Sequence, residues 1–309
     1  MTEKVKILLP NGEVITADES PATERKIQRE HEETRFLPVI IKRSDQVMRH
    51  PDDTLEHAIT EGLEQLGRGA FSLTLSALAA GMIVGFSAMA VAVVTTLTAP
   101  FEIELLTRVA TAVVYPTGFV VCVMSGAQLF TEHTATAVYP VLDRRSTVWQ
   151  MLRLWILVAI GNLLGAVLIA ALLSRVDAVV HAHEGYVLIG HHLTQFDSST
   201  LFLSAMVAGW LMALGAWLVM ATPPTFSQIA SIFIVTFLIG IGGLHHSIAG
   251  SAEMMTAYFV SDEFTLAQAG NFVLIALLGN LCGGSIFVAV LNYGHIRRTQ
   301  PANVNGESE

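Results

Sequence analysis

The chain has 309 residues, of which 52% are hydrophobic and only 14% are charged, and its mean hydropathy is +0.56. Soluble domains carry roughly 25% charged residues, so this composition excludes an ordinary soluble globular protein. The formal net charge of −9 gives no support to a nucleic-acid-binding function. No lysine follows Lys42, so the charges are concentrated near the start. We therefore expect a charged N-terminal arm over residues 1–52 and a membrane domain after it.

Two elements are predicted before the first apolar run. The segment VKILLPNGEVIT, residues 5–16, contains an Asn-Gly pair that is typical of a tight hairpin turn. The segment PDDTLEHAITEGLEQLG predicts an amphipathic helix over residues 53–68, capped by Asp53 or Thr54. Its apolar stripe consists of Leu55, Ile59, Leu63 and Leu66. Because this helix leads directly into the first apolar run, we expect it to lie along the inner membrane face.

Six apolar segments are long enough for a bilayer, which takes about 20 residues per helix. They are residues 70–97, 109–140, 149–174, 199–222, 226–259 and 268–293. The second and fifth are too long for a simple span, and each contains a break, MSGAQLFTEHT in one and GGLHHSIAGS in the other. We expect the other four to be uninterrupted helices. The sequence thus predicts an all-α integral membrane protein with a transport domain over residues 69–295 and a tail over 296–309.

Arginines near the span ends indicate the orientation. They lie between spans two and three and after span six, at Arg144, Arg145, Arg153, Arg297 and Arg298. With these on the inside, both termini are cytoplasmic. The first apolar segment begins near residue 69, so we expect no cleavable signal peptide. Cys122 and Cys282 both lie in apolar runs and are expected to be free thiols.

A repeat relates the two halves of the membrane domain. GNLLGA begins at Gly161 in span three, and GNLCGG begins at Gly279 in span six. The first follows Gly126 by 161 − 126 = 35 residues, and the second follows Gly243 by 279 − 243 = 36 residues. Because each half has three spans, the halves have opposite topology. Inverted repeats with broken helices form a solute pathway near the membrane midplane.

The breaks carry the candidate pathway residues. Broken helices leave backbone groups without partners, so Asn162 and Asn280 are expected to bond the loosened backbone, to join neighbouring helices, or both. An ionisable ring at membrane depth is a functional candidate, which applies to His246 and to its neighbour His245. The alternative is a histidine satisfied by a neighbouring helix without a transport role. A protonated imidazole attracts anions, so a histidine in an apolar constriction can couple anion entry to proton exchange.

Other polar residues surround these candidates. Leu129 is expected to constrict the pathway, and the Thr131 hydroxyl is expected to hydrogen-bond the solute. Glu132 and Glu253 are expected to pair with the histidines or to shift selectivity. Four histidines between spans three and four are interpreted as part of a solvated loop and not as a metal site: His181, His183, His191 and His192. No HExxH motif is present, so we expect no metal, no other cofactor and no enzyme activity.

The motifs SGAQLFTEH, GLHHSIAGS, GNLLGA and GNLCGG together resemble those of the formate/nitrite transporter family, from about residue 55 to the end. The resemblance implies an aquaporin-like protomer in the cell's inner (plasma) membrane, assembled as a homopentamer with one pore per protomer. It implies transport of small monovalent anions, often together with a proton. In this comparison His246 matches the central histidine, Thr131 the hydroxyl and Leu129 a constriction. Phe119 and Tyr115 match apolar pore walls, and Asn280 an asparagine near the pore.

The chain also departs from the family pattern. The family usually has an acid at Gln128, a small residue at Glu132 and an asparagine at Gly209, and an acid often stands at His245. Relatives carry an anion-attracting lysine near the outer end of span four, where this chain has none. Arg175 or protonated His191 and His192 are possible substitutes.

Three alternative functions stay open from the sequence. One is a pore of the same fold that Glu132 and Glu253 make selective for neutral solutes or cations. Another is a membrane enzyme that uses the histidines for metal or acid–base chemistry. The last is a membrane scaffold whose N-terminal arm binds a partner.

Overall fold

The computed structural model describes residues 6–8, 14–16 and 48–299. Two short strands, β1 (Lys6–Leu8) and β2 (Val14–Thr16), pair in antiparallel register. This confirms the two strands of the predicted hairpin, whose Asn-Gly turn lies outside the described residues. From residue 51 onward the described chain is helical.

The first half of the helical body contains seven α-helices. They are α1 (Pro51–Gly67), α2 (Ala70–Thr98), α3 (Glu104–Val114), α4 (Pro116–Met124), α5 (Phe130–Thr136), α6 (Val138–Leu142) and α7 (Val148–Val180). A 3-10 turn, Ala99–Phe101, follows α2.

The second half repeats this order after one additional helix. Its α-helices are α8 (His183–Thr194), α9 (Ser198–Ala221), α10 (Thr225–Gly242), α11 (Ser247–Val260), α12 (Leu266–Cys282) and α13 (Leu291–Thr299). A π-helical stretch, Gly283–Val290, joins α12 to α13.

Six helical segments of the described chain are long and apolar enough to cross a membrane. They are Ala70–Phe101, Glu104–Met124, Val148–Val180, Ser198–Ala221, Thr225–Gly242 and Leu266–Ile296. This confirms the predicted all-α, six-span architecture. The predicted bounds of the second and third spans were too narrow, since these helices begin at Glu104 and end at Val180. The apolar segments of the sequence end near Arg108 and Arg175, which set the predicted bounds. The helices continue past these charged residues because a helix can extend beyond the point where it leaves the bilayer.

Both predicted breaks are present, and each contains a glycine in left-handed conformation at or near its start. In the second span, Ser125–Leu129 separate α4 from α5, and in the fifth, Gly243–His246 separate α10 from α11. Gly126 has a φ of 70° and Gly243 a φ of 61°. Glycine adopts this conformation without the steric cost of a Cβ, so it ends each helix at low cost.

Span six is less regular than predicted. Its middle portion widens into the π-helical stretch where Gly283 approaches the Met206 carbonyl on α9 and Gly284 approaches the Thr134 hydroxyl on α5. A Cβ at either glycine would overlap its neighbour. The span is still one continuous helix over Leu266–Ile296, as predicted, because a π segment keeps the helix continuous while changing its register.

The two halves pack by the same device. Gly161 on α7 lies against Ala77 and the Thr74 carbonyl on α2, and Gly279 on α12 lies against Ala205 and the Phe202 carbonyl on α9. Glycines let helix backbones approach closely, which replaces the hydrophobic driving force that is missing between helices in lipid. Each half therefore holds its first and third spans in direct backbone contact.

Helix α1 packs its apolar stripe against the body. Leu55, Ile59 and Leu66 are buried, as the stripe predicts. The predicted cap was wrong: the helix begins at Pro51, and the imidazole of His50 accepts a hydrogen bond from the Asp52 amide. Proline is favoured at the first helical position because its missing N–H has no intrahelical partner there.

Candidate transport pathway

Asn162 forms hydrogen bonds with the free backbone groups at the first break. Its Oδ1 accepts a hydrogen bond of 2.7 Å from the Phe130 amide, the first residue of α5. Its Nδ2 donates to the Gln128 carbonyl at 2.9 Å and to the Ala77 carbonyl at 2.7 Å. One buried amide thus satisfies two backbone groups at the break and joins it to α2.

Asn280 makes the equivalent bonds at the second break. Its Oδ1 accepts from the Ser247 amide at 2.7 Å, and its Nδ2 donates to the carbonyls of His245 at 3.1 Å and Ala205 at 2.7 Å. Both predicted roles of the asparagines are therefore present together, since each amide bonds the loosened backbone and joins it to another helix. Their bonding groups are fully engaged within the protein.

His246 caps α11 with its ring. Its Nδ1 accepts hydrogen bonds from the amides of Ile248 and Ala249, both at 3.2 Å. An Nδ1 that accepts carries no proton, so the neutral ring holds its proton on Nε2. Nε2 lies 3.0 Å from the Thr131 Oγ1 and donates to it. The hydroxyl proton of Thr131 then has no acceptor among the described residues.

Apolar residues enclose this pair. The Phe119 ring meets His246 edge-on, with centroids 5.0 Å apart, and Tyr115 lies 5.1 Å from Phe119. Leu129 is fully buried in the same cluster. The structure therefore brings the predicted wall, constriction, hydroxyl and histidine together.

Two cavities lead toward this cluster. The cavity that we call the α8-side cavity has a volume of about 480 Å³, and its lining includes Tyr115, His246, Glu253, Arg108 and His192. The other, which we call the α1-side cavity, has a volume of about 340 Å³, and its lining includes Gln128, Glu132, His133, Arg49 and His57. Phe119, Leu129 and Thr131 line neither of the two cavities. They form the buried segment between Gln128 on one side and His246 on the other.

The acidic residues do not pair with the histidines as predicted. Glu132 lines the α1-side cavity and Glu253 the α8-side cavity. Within residues 48–299, no hydrogen bond or ion pair joins either carboxylate to a histidine. Each acid lines a cavity instead.

His245 lies beside the pathway. Its Nδ1 is 2.8 Å from the Ser204 Oγ, and its ring stacks on His192 at a centroid distance of 5.6 Å. It lines neither of the two cavities. The structure therefore does not bring His245 into the wall that His246 forms.

The segment between spans three and four is a helix, not the predicted solvated loop. On α8, His191 bonds Glu263 at 2.8 Å, and His192 donates from Nε2 to the Gly243 carbonyl at 3.4 Å. Burial lowers the pKa of His192, and nearby Arg108 lowers it further. Residues 48–299 contain no group of three His, Cys, Asp or Glu side chains that could hold a metal. Cys122 and Cys282 are free.

Two cavity residues were missed by sequence reasoning. Arg108 donates from Nε to the Ile241 carbonyl at 2.7 Å and lines the α8-side cavity, whereas Arg175 does not. His133 lines the α1-side cavity. Their positions depend on contacts between helices that are far apart in sequence. The local signals were a charge at Arg108 near the start of α3 and the place of His133 just after a break.

Comparison with known proteins decides the family. The sequence model described as "Formate/nitrite transporter" matches residues 52–294. The chain belongs to the formate/nitrite transporter family. Its members' names identify transporters and channels, so the protein is a multi-pass membrane transporter or channel and not an enzyme.

Relatives and solved structures agree with this assignment. The chain is 31% identical over 249 residues to the inner membrane protein YfdC of Escherichia coli (strain K12), covering 78% of this chain and 77% of that protein. It is 28% identical over 197 residues to the nitrite transporter NirC of Salmonella typhimurium, covering 59% and 70%. An FNT family ion channel superposes with a TM-score of 0.71 at 21% identity, covering 79% of this chain and 99% of that one. A pentameric formate channel with formate bound superposes at 0.61 and 20%, covering 74% and 98%. The aquaporin-like protomer expected from the sequence therefore has the fold of these channels.

Proposed function

We propose that this protein passes small monovalent anions of the formate and nitrite type, or their conjugate acids, through a pore in each protomer. His246 exchanges a proton or a hydrogen bond with the solute. The observation that carries this proposal is the hydrogen bond between His246 and Thr131 at the buried junction of two cavities. The names of relatives, a nitrite transporter and a pentameric formate channel, support the solute class.

The chemistry follows from the tautomer of His246. Because Nδ1 is occupied by two backbone amides, only Nε2 and the Thr131 hydroxyl have hydrogen-bonding capacity for a solute. An anion that reaches Nε2–H receives a hydrogen bond. The ring passes its proton to the anion as a second proton from the aqueous side replaces it on the imidazole, so the solute becomes a neutral acid and the ring stays neutral. A neutral solute crosses the apolar segment of Phe119 and Leu129 at a much lower desolvation cost than an anion.

The proposed roles of the other predicted residues follow from their contacts. Tyr115 and Phe119 form the wall on the α8 side of the junction, and Leu129 forms the constriction. Asn162 and Asn280 hold the two breaks in place and position the pathway without contacting the solute. His245 positions the second break through its backbone carbonyl, which Asn280 binds.

The assembly and location belong to the same proposal. We infer a homopentamer in the cell's inner (plasma) membrane with both termini in the cytoplasm, so that the α1-side cavity faces inward. Support comes from the pentameric state named for the formate channel and from the name of the inner membrane relative. Many apolar side chains on the spans are exposed in one protomer, which suits contact with lipid or with further copies.

One observation favours a second candidate function. Glu132 and Glu253 each line a cavity without a histidine partner, which is unusual for a pathway that attracts anions. The alternative is a pore of the same fold that passes neutral solutes or cations. Reversal potentials under salt gradients separate the two, because an anion pathway and a cation pathway shift the potential in opposite directions.

The decisive experiment is uptake by reconstituted liposomes. Formate, nitrite, acetate and a neutral solute are compared at acidic and neutral pH for the wild type and for Thr131→Val and Thr131→Ser. We expect anion uptake that rises as the pH falls, is lost in Thr131→Val and is retained in Thr131→Ser. The valine variant keeps the shape of threonine, so loss of uptake reports the hydroxyl.

His246→Ala is the second variant, with His191→Ala as its matched control. His191 is exposed and bonded to Glu263, so its removal leaves the pathway intact. We expect uptake to collapse in the first variant and to persist in the second. Anion uptake that is indifferent to both His246→Ala and Thr131→Val would refute the mechanism.

A further inference from the structure

We propose that the α1-side cavity contains a binding site for the protonated, neutral form of the solute, formed by acceptor atoms of Gln128, His133 and Glu132. This inference rests on the proposed function, because it names the form in which the solute occupies one face of the pathway. The class of ligand is a small monocarboxylic acid that offers one O–H donor.

His133 presents an acceptor without a donor. Its side chain is 6% exposed and lines the cavity, and its Nδ1 lies 3.2 Å from the Thr136 Oγ1. The Thr136 hydroxyl donates its hydrogen bond to the backbone carbonyl of Glu132, at 3.1 Å. It therefore accepts from Nδ1–H, and the neutral ring of His133 carries a bare lone pair on Nε2. That Nε2 is buried and has no partner.

Gln128 presents a second acceptor. Its side chain is 7% exposed and lines the same cavity. Its Nε2 donates to the Gly126 carbonyl at 3.4 Å, whereas its Oε1 is buried without a partner. Buried polar atoms in native proteins nearly always have partners, so two unpaired acceptors beside one cavity indicate a missing donor.

The charges around these atoms favour a neutral donor over an anion. Glu132 and Glu61 also line this cavity. Arg49 already donates to the Met220 carbonyl, and its backbone amide donates to Ala221 at 2.8 Å. His57 on α1 and Arg68 just after α1 are the other titratable groups near this site. An anion would bring lone pairs to acceptors that already lack donors, whereas a carboxylic acid brings the O–H.

This site complements His246 on the other side of the constriction. There the ring carries its proton on Nε2 and donates, whereas at His133 the ring accepts on Nε2. The O–H bond of the acid breaks, an N–H bond forms at His133 Nε2, and a carboxylate anion and an imidazolium remain. The site is thus where the neutral acid becomes an anion again before it leaves by the α1-side cavity.

The test measures binding, so it does not depend on transport. The full chain with ¹⁵N-labelled histidine is placed in nanodiscs, and formic acid is titrated at acidic pH. The Nε2 resonance of His133 is assigned from its disappearance in His133→Gln. Nitrate is the comparison ligand, because its acid is fully dissociated and offers no O–H. We expect formic acid to move the His133 signal and nitrate to leave it in place.

Two variants sharpen the result. Gln128→Leu removes one acceptor and is expected to weaken formic acid binding about tenfold, the size of a lost hydrogen bond together with an unpaired partner. His183→Gln, an exposed histidine on α8, is the control and is expected to leave both the His133 signal and the affinity unchanged. Equal responses to nitrate and formic acid, or no response to either, would overturn the proposal.

The same titration in His246→Ala keeps the two proposals distinct. The α1-side cavity does not include His246, so acid binding at His133 is expected to persist in this variant while uptake is lost. Binding at His133 with uptake that is indifferent to His246 would contradict the proposed mechanism alone. Normal dependence of uptake on His246 without binding at His133 would contradict the acid site alone.

Discussion

Leu129 and His246 occupy equivalent positions in the two halves of the protein. Each is the last residue of a break and precedes a helix, α5 or α11. Each follows a residue whose carbonyl accepts from an asparagine amide, Gln128 in one half and His245 in the other. The ring of His246 caps its helix, whereas Leu129 makes no side-chain cap. One backbone device therefore presents an apolar barrier in one half and a proton-bearing ring in the other.

The first prediction concerns this barrier. Leu129→Ala shortens a fully buried side chain in the constriction, so uptake of acetate is expected to rise relative to uptake of formate. The cavity left behind is expected to lower the free energy of unfolding by about 2–5 kcal/mol. The measurement is the ratio of initial uptake rates in liposomes, together with a thermal melt. Leu274→Ala, at a position exposed on α12, is the control and is expected to change neither. An unchanged acetate-to-formate ratio would show that Leu129 does not limit solute size.

The second prediction concerns the asparagines. Asn162→Ala leaves the buried Phe130 amide and Gln128 carbonyl without their partners, and each such group costs about 1–3 kcal/mol. We expect a clearly lower melting temperature, and an equal loss for Asn280→Ala because its bonds are equivalent. Asn271→Ala, at an exposed position of α12, is expected to melt like the wild type. A melting temperature that tracks the wild type in both buried variants would mean that water replaces the amides.

Residue patterns predicted the features that depend on local chemistry. Apolar length predicted the six spans, and glycines at Gly126 and Gly243 predicted the breaks. The repeated Gly-Asn pair indicated that Asn162 and Asn280 bond the loosened backbone, join neighbouring helices, or do both, since an amide in lipid requires partners.

Features that depend on packing between distant segments were not predictable in the same way. The α8 helix lies between two spans and is neither long nor apolar throughout, so its sequence indicated a loop. The positions of Arg108 and His133 in two cavities depend on how α3 and α5 turn their faces toward other helices. The π segment in span six depends on the approach of α9 and α5, which no single segment encodes.

The third prediction concerns Gly209, where the sequence resemblance implies an asparagine in the family. A Cβ at Gly209 would overlap the backbone of Asn280, including its carbonyl oxygen. Gly209→Ala is therefore expected to push α9 away from α12 and to lower both the melting temperature and the uptake rate. Gly270→Ala is the matched control, because a Cβ there meets nothing within 4 Å. In the control, alanine improves helix propensity, and stability is expected to stay level or rise by up to about 1 kcal/mol. Equal behaviour of the two variants would show that the α9–α12 contact adapts freely.

The fourth prediction concerns Arg108, the cation that lines the α8-side cavity. Its guanidinium is held by the Ile241 carbonyl. Arg108→Gln is expected to reduce the rate of anion uptake several-fold at low ionic strength, and by less at high salt, because salt screens attraction over distance. Arg175→Gln lies outside this cavity and is expected to leave the rate unchanged. Equal rates for Arg108→Gln and the wild type at low salt would remove the arginine from anion recruitment.

The fifth prediction separates His192 from Arg108 as the source of positive charge. Burial lowers the pKa of His192, with Arg108 adding to the effect against a hydrogen bond to Gly243 that raises it. The folded state therefore holds this ring neutral at pH values where the unfolded chain, with an ordinary pKa near ~6.5, has already taken up a proton. Because the unfolded state binds more protons, the stabilisation that depends on a neutral His192 ring is complete above about pH 6.5. It is lost as the pH falls from that value toward the pKa of the ring in the folded protein.

Two measurements test this predicted loss of stability at low pH. The melting temperature of the wild type is expected to fall as the pH drops below about 6.5, and His192→Gln is expected to flatten part of this fall. At neutral pH, His192→Gln is expected to leave anion uptake nearly unchanged, because the ring it removes is uncharged there. A large loss of anion uptake in His192→Gln at neutral pH, with no loss in Arg108→Gln, would assign the attracting charge to the histidine and require that its ring be protonated in the folded protein.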